Sequence, residues 1–408
     1  MELRNAAEAP LDGRHMAMVS FSPYPADPRP RRAAETLRGQ GMTIDAICLQ
    51  DGTGPARQNL DGLDIVRVPI RQRRGGKFAY AYQYSAFILI ATWILALRVL
   101  RRRYDLVYVN NMPDVLVVCA LVPKWLGAKV ILDLHDPMPE LMRTIFGFSE
   151  ESWAVRIIRY FEKWSMARAD LVLTVNEACK RIFGNRSCDP GKIGVVMNSP
   201  DELIFPFREA RSYARRSPGR PFVMMYHGLL AQRNGLDLAI EALGIVRAAV
   251  PHIEFRIYGK KNDYLDQVME QVRSHGLDGC VRYMGFRRLE DLARDIEACD
   301  VGIIPNHRNA FTEINTPTRI FEYLALGKAV IAPRTPGIED YFGSEGLFFF
   351  EPGNAAELAR TMEHVAANED EATATAEDGQ RIYRDHSWSQ ERLELIGLVR
   401  DLLRPART

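Results

Sequence analysis

Two stretches of this chain hold the residue types and spacings that could do chemistry. In Lys129-Val-Ile-Leu-Asp-Leu-His-Asp-Pro-Met-Pro-Glu140, the groups Asp133, His135, Asp136 and Glu140 follow a buried strand. Ligands of open α/β sheets bind beyond the carboxyl ends of the strands, so this cluster is expected to face a cleft. His135 is the candidate for positioning or polarising reacting groups, with Asp136 as the alternative acid or base. A lone histidine is often a satisfied structural residue, but four ionisable groups at one strand end favour a functional loop.

The second stretch runs from Glu313 to Pro333 and reads as loop, helix, glycine stop and buried strand. Thr316 is predicted to cap, Pro317 to take the first helical position, and Ile320, Phe321 and Leu324 to form the apolar face. The free N–H groups and positive dipole end near Thr316 to Thr318 would then face an anion. Glu322, about one and a half turns further on, could accept hydrogen bonds from a ribose diol attached to that anion. The bland alternative is a solvated helix glutamate.

The elements that position these residues repeat a βα pattern. Strands are predicted at Met16–Pro23, Ile44–Leu49, Leu63–Val68, Tyr104–Val109, Lys129–Leu134, Ala169–Asn176 and Ile193–Pro200, with a helix through Leu37 after the Pro23-to-Arg32 loop. Asp27, Arg29, Arg31 and Arg32 in that loop are either cleft-facing or solvated. Trp153, Ile157, Tyr160, Phe161 and Trp164 form a stripe on an amphipathic helix over 152–168, which core packing would explain. After a charged, proline-bearing linker at 201–220, strands are predicted at Phe222–Gly228 and Asp300–Pro305. Gly228 marks a close backbone approach, 368–377 reads as a solvated helix, and Ser387 to Leu403 as a final helix.

With 408 residues, 47% hydrophobic and 26% charged, the chain has a soluble-type composition and length for two domains. Six cysteines without a CxxC pair suggest a reducing compartment and no zinc site, and the polar first 15 residues lack a signal-peptide core. The net charge of +1 conceals a basic first half and an acidic second half. An anionic partner is expected for the former, membrane lipid or a phosphate-bearing acceptor, and no nucleic-acid motif accompanies it.

Residues 71–103 carry Arg71, Arg73, Arg74 and Lys77, then an apolar run, then Arg98 and Arg101 to Arg103. The uninterrupted apolar part, Ala86 to Leu97, is shorter than the roughly 20 residues a span needs. A buried helix and a helix lying on a membrane surface, with Tyr80, Tyr82, Tyr84 and Trp93 at the interface, are both open readings; membrane contact is preferred.

Phe321-Glu-Tyr-Leu-Ala-Leu-Gly-Lys-Ala-Val-Ile-Ala332 resembles the donor-site signature of family 4 glycosyltransferases. Tyr226-His-Gly-Leu-Leu, Arg233-Asn-Gly-Leu-Asp-Leu-Ala-Ile-Glu-Ala, Phe255-Arg-Ile-Tyr-Gly259 and Val281-Arg-Tyr-Met-Gly285 resemble the family in the same order. The resemblance implies a GT-B fold: two Rossmann-like α/β domains facing each other across a cleft, with a C-terminal helix crossing back. The expected boundaries are a flexible 1–15, an acceptor domain at 16–200, the 201–220 linker, a nucleotide-sugar domain at 221–386 and the crossover helix at 387–408. The family's two glutamates are separated by seven residues, whereas counting back from Glu322 lands on Ile314 with Glu313 beside it. Either the loop has slipped or the sugar-facing glutamate is replaced. Of the family's basic pair at the diphosphate, Leu229 and Asn234 occupy the positions here, leaving Arg233 with Lys260 as a further candidate.

The resemblance implies a retaining, metal-independent transferase moving a sugar from a nucleoside-diphosphate donor to an acceptor hydroxyl, with no further cofactor. Gly228, Arg233, Lys260, Glu313, Asn315, Thr316, Thr318 and Glu322 are the expected donor contacts, with Asn306 to Thr312 reaching toward the sugar. His135 and Asp136 are expected on the acceptor side. A lipid-linked or envelope glycan is the expected acceptor, and the inner face of the plasma membrane the expected location. Two alternatives stand beside it: a catalytically weak nucleotide-sugar-binding partner of another membrane transferase, and a nucleotide-sugar epimerase of the same fold.

Overall fold

A computed structural model describes residues 11–404 apart from Thr53, Asp61, 71–76 and 212–219; the side chains of 77–81 also lie outside the description. The chain divides into two compact units, one of residues up to Met197 with Arg392 onward, the other Asn198–Glu391.

The first unit is built on eight strands: β1 (His15–Pro23), β2 (Thr43–Leu49), β3 (Arg57–Leu60), β4 (Leu63–Val68), β5 (Leu106–Asn110), β6 (Lys129–Leu134), β7 (Leu171–Thr174) and β8 (Ile193–Val195). Their order is β3-β4-β2-β1-β5-β6-β7-β8. Every pair is parallel except β3 with β4, a short hairpin absent from the sequence reading because Arg57-Gln-Asn-Leu60 lacks an apolar pattern. The inner strands are continuous apolar runs because helices cover them. Residues 11–15, expected to be flexible, are instead tied down: Leu11 is buried and Arg14 pairs with Asp105 at 2.6 Å.

Helix Lys77–Val99 points Gln83, Phe87, Ala91, Leu95 and Val99 inward at four-residue spacing and leaves Tyr82, Leu89, Trp93 and Leu97 exposed. Tyr84, expected at an interface, packs on Phe21 at 4.6 Å. Arg98 is likewise withdrawn, bridging Asp45 at 2.9 Å and Asp64 at 2.8 Å. Arg71 to Gly76 and the side chain of Tyr80 lie outside the described residues.

Helix Trp153–Arg168 corrects the sequence reading. Its inward residues are Val155, Glu162, Ser165 and Met166, whereas Trp153, Ile157, Tyr160 and Phe161 face outward. The inward face is part polar: Arg186 lies beneath it, donating to both Glu162 and Glu140. This buried ion pair turns in together with the apolar Val155 and Met166.

The second unit has a six-stranded parallel sheet: β9 (Phe222–His227), β10 (Ile253–Tyr258), β11 (Val281–Gly285), β12 (Val301–Ile303), β13 (Ala329–Pro333) and β14 (Phe348–Phe350), ordered β11-β10-β9-β12-β13-β14. Chain direction across the sheet reverses between β9 and β12, which is where a doubly wound sheet opens a crevice. Part of the expected linker is built into this unit: Phe205 is buried, and Gln380 bonds both Arg208 O at 2.6 Å and Ala210 N at 3.0 Å. Helix Glu369–Asp385, read as solvated, buries Ala372, Ala376, Gly379, Gln380 and Tyr383 along one side. From Arg392 the last helix belongs to the first unit, where Leu395 and Val399 are buried.

Candidate active site

The crevice between β9 and β12 opens into a cavity of about 530 Å³ in the second unit. Its lining includes the cations Arg233, Lys260, Arg287 and Arg319 and the apolar side chains of Phe286, Leu289 and Leu292. Helix Thr318–Ala325 presents its start and Glu322 to the same space.

The position of this helix is fixed by Tyr323. Its ring lies on Gly302 of β12, where an added Cβ would stand 2.3 Å from the ring, and its hydroxyl donates to Met225 O at 2.7 Å. The helix begins one residue later than predicted: Pro317 is the N-cap, and the Thr316 hydroxyl donates to Gly337 O at 2.6 Å instead of capping. Thr316 is thus part of the brace between its loop and the next helix, to which Gly337 N also donates from the other side, reaching Glu313 O at 2.9 Å.

Glu322 Oε2 stands 3.2 Å from His227 Nε2, outside hydrogen-bond alignment. His227 is buried, and burial first, then the charge of Arg319, push its pKa down to about 3. The contact is therefore between a carboxylate and a neutral imidazole. Arg319 donates to His227 O at 3.2 Å and Asn306 Oδ1 at 2.8 Å, and its guanidinium lies 4.7 Å from the Tyr226 ring centre. Both strand ends at the crevice thus share one fixed cation. Gly228, with φ +126°, passes so near it that a Cβ would lie 3.1 Å from Arg319 Nη1.

Asn234, at a position where the resemblance implies a basic residue, serves the loop itself. Its amide donates to Leu229 O at 2.7 Å, as does the Tyr226 hydroxyl at 2.7 Å. Arg233 lies on the cavity with its guanidinium 5.8 Å from the Phe311 ring, and Lys260 is exposed at the rim. Asn315 and Thr318 also line the cavity. Glu313 does not; its side chain turns to Arg308 at 3.1 Å, and Arg308 reaches Glu351 at 2.9 Å. The structure therefore brings together Gly228, Arg233, Lys260, Asn315, Thr318 and Glu322, and leaves Glu313 and Thr316 in the supporting loop. His227 and Arg319 were missed although both sit inside the quoted motifs. The available signal was a cation and a histidine each one residue from an assigned contact.

In the first unit the strand-end cluster separates into two kinds of residue. Asp133 is fully buried and receives Arg29 Nε at 2.9 Å, Arg29 Nη2 at 2.6 Å and the Tyr108 hydroxyl at 2.7 Å. Burial alone would raise its pKa, but the Arg29 guanidinium and His135 hold it well below the carboxylate range. Asp133 is structural, as is Glu140, clamped by Arg186 at 2.6 and 2.9 Å; neither is a free group at the cleft. Arg29 and Arg32 are buried, not solvated. His135 and Asp136 remain at the turn, partly exposed, with His135 Nε2 3.4 Å from Asn110 Oδ1. Asn111 holds this turn, accepting from His135 N at 2.8 Å and donating to Asp136 O at 3.1 Å.

Comparison with known proteins agrees with this architecture. The family described as Glycosyl transferase 4-like domain matches residues 26–199, and Glycosyl transferases group 1 matches residues 221–368. The chain belongs to the family 4 glycosyltransferases, of GT-B fold. An amylovoran biosynthesis glycosyltransferase of Erwinia amylovora is 23% identical over 207 residues, 50% of this chain and 49% of that protein. This chain spans about half the length of the first curated relatives it matches. Among solved structures, sucrose-phosphate synthase from Thermosynechococcus elongatus aligns with a TM-score of 0.75 at 16% identity, covering 95% of this chain and 99% of that one. HepE from Anabaena in complex with UDP-glucose aligns with a TM-score of 0.70 at 16% identity, covering 95% and 99% respectively.

Proposed function

We propose that this protein transfers a sugar, with retention at the anomeric carbon, from a nucleoside-diphosphate donor to an acceptor hydroxyl in the assembly of a polysaccharide. The observation that carries the reading is the β9–β12 crevice, where cations, a helix start and a carboxylate are arranged around one cavity. The diphosphate would lie against Arg233, Arg319 and the Thr318 end of the helix, the ribose diol against Glu322, and the base toward Phe286 and Leu289. As the bond from the anomeric carbon to the phosphate oxygen breaks, negative charge grows on the diphosphate. Fixed cations and backbone dipoles that need no rearrangement stabilise it, so no metal ion is required.

The bound UDP-glucose of the Anabaena relative and the polysaccharide role of the Erwinia relative support the donor class and the pathway class. His135 and Asp136 are the proposed polar groups of the acceptor unit, and a lipid-linked glycan the proposed acceptor. The exposed apolar side of helix Lys77–Val99, whose Tyr82–Val99 window has a mean hydropathy of 1.4, would rest on the inner face of the plasma membrane. A panel of UDP-, GDP- and dTDP-sugars, assayed for binding and slow hydrolysis, tests the reading. Turnover of one donor, lost in Glu322→Ala and Arg233→Ala, supports it. Tight binding without turnover, even with membrane extract as acceptor, would instead favour the binding-partner alternative.

A further inference from the structure

The outward stripe of helix Trp153–Arg168 is not used by the donor cavity or by the His135 turn. Trp153 is 76% exposed, Tyr160 64%, Ile157 46% and Phe161 43%. Burying aromatic and branched side chains of this size is strongly favourable, so a helix that turns them outward has something to cover them. The occupant is indicated by charge. Helix Lys77–Val99 contains no Asp or Glu, nor does the short helix Leu121–Trp125. The only carboxylate in helix Trp153–Arg168 is Glu162, which is fully buried under Arg186. The charges left outward on it, Arg156 and Lys163 among them, are cationic. Just before the helix, Glu150 is paired with Arg159 at 2.8 Å and Arg143 at 3.4 Å, and Glu151 is an exposed carboxylate ahead of the Ser152 cap.

Helices Lys77–Val99 and Trp153–Arg168 both pack against the segment Asp114–Ala120, so they lie in one layer on the same side of the sheet. Trp125, 79% exposed, stands at the end of the short helix that continues this segment. Exposed Trp and Tyr interleaved with Arg and Lys, with no outward carboxylate in the three helices, form the composition of a face that lies in the headgroup region of an anionic bilayer.

We propose that the Trp153–Phe161 stripe is a second membrane-docking element, which inserts its aromatic side chains at an anionic lipid surface with Arg156 at the phosphate level. It extends the contact proposed above for helix Lys77–Val99 and does not depend on the sugar-transfer reading.

The test is sedimentation of the full chain with vesicles of phosphatidylcholine alone or with phosphatidylglycerol added. The wild type binds the anionic vesicles; Ile157→Glu/Tyr160→Glu lowers the partition coefficient roughly tenfold or more, and Arg156→Gln lowers it about fivefold. Trp93→Glu probes the other helix separately. With brominated lipids, Trp153→Phe, which keeps an aromatic side chain at this exposed position, reduces the quenched fraction of tryptophan fluorescence. The far-UV circular dichroism and the melting midpoint of the Ile157→Glu/Tyr160→Glu variant stay at the wild-type values, confirming that it folds. Three results would each overturn the proposal: no vesicle binding by the wild type, unchanged binding and quenching in the stripe variants, or a wild-type dimer that the double substitution splits while vesicle binding persists.

Discussion

Glu322 Oε2 lies 3.2 Å from Nε2 of a histidine, His227, that the protein keeps uncharged. A protonated His227 would neutralise the carboxylate; a neutral one leaves Glu322 as an acceptor with its charge directed into the cavity. Burial of His227 at the end of β9, where its ring meets that of Tyr323 edge-on at 5.0 Å, maintains that state.

This has a consequence for stability. The pKa of His227 is lowered from 6.5 to about 3 on folding, so the unfolded chain binds the extra proton between those values. The contribution is fully present above pH 6.5 and is lost as the pH falls toward 3. From this group alone the unfolding free energy should fall by about 1.4 kcal/mol per pH unit within that window. Urea unfolding from pH 7 to pH 4 measures it, and His227→Gln should flatten the slope.

Arg319 spans the two strand ends, so its loss should reach both the ligand and the frame. Arg319→Met is expected to weaken binding of the nucleoside diphosphate whose sugar is turned over by about tenfold or more, the scale of one charge-assisted hydrogen bond. Isothermal titration with UDP, GDP and dTDP measures this. Arg319→Lys should recover only part, because an ammonium cannot bridge His227 O and Asn306 as the guanidinium does.

In the first unit, adjacent ionisable residues should respond differently. Asp133→Asn leaves the buried Arg29 guanidinium without its counter-charge and should cost about 3–5 kcal/mol of stability. His135→Ala should leave the melting midpoint within a few degrees of wild type and reduce turnover. Thermal melts paired with donor hydrolysis in the presence of acceptor separate the two.

Gly302→Ala puts a methyl group into the Tyr323 ring, where the clash distance is 2.3 Å. Helix Thr318–Ala325 must shift to relieve it. A loss of about 1–3 kcal/mol is expected, with weaker binding of the nucleoside diphosphate, because the same helix carries Glu322 and Thr318. Chemical denaturation and titration on the one variant read both.

Much of the fold was legible because buried parallel strands are written as apolar runs, as in Phe222-Val-Met-Met-Tyr and Ala329-Val-Ile-Ala. The hairpin strand Arg57–Leu60 was not, since an exposed edge needs no apolar pattern. The direction of helix Trp153–Arg168 was illegible for a different reason: its inward face includes Glu162, whose partner Arg186 arrives from elsewhere in the chain. The same holds at the sites. Glu322 could be placed from helical spacing, whereas Arg29 with Asp133, Arg186 with Glu140, and Asn234 with Leu229 are long-range or loop pairings that periodicity does not encode.

The central claim is that the cavity beside Glu322 holds a nucleotide sugar and activates it. The most direct measurement is release of free sugar from each of the UDP-, GDP- and dTDP-sugars by the wild type beside Glu322→Ala. Slow release from one donor is expected, with the Glu322→Ala protein losing it through a raised KM for that donor. Saturable release at an unchanged KM and kcat in Glu322→Ala, or no binding of any donor by the wild type, would contradict it.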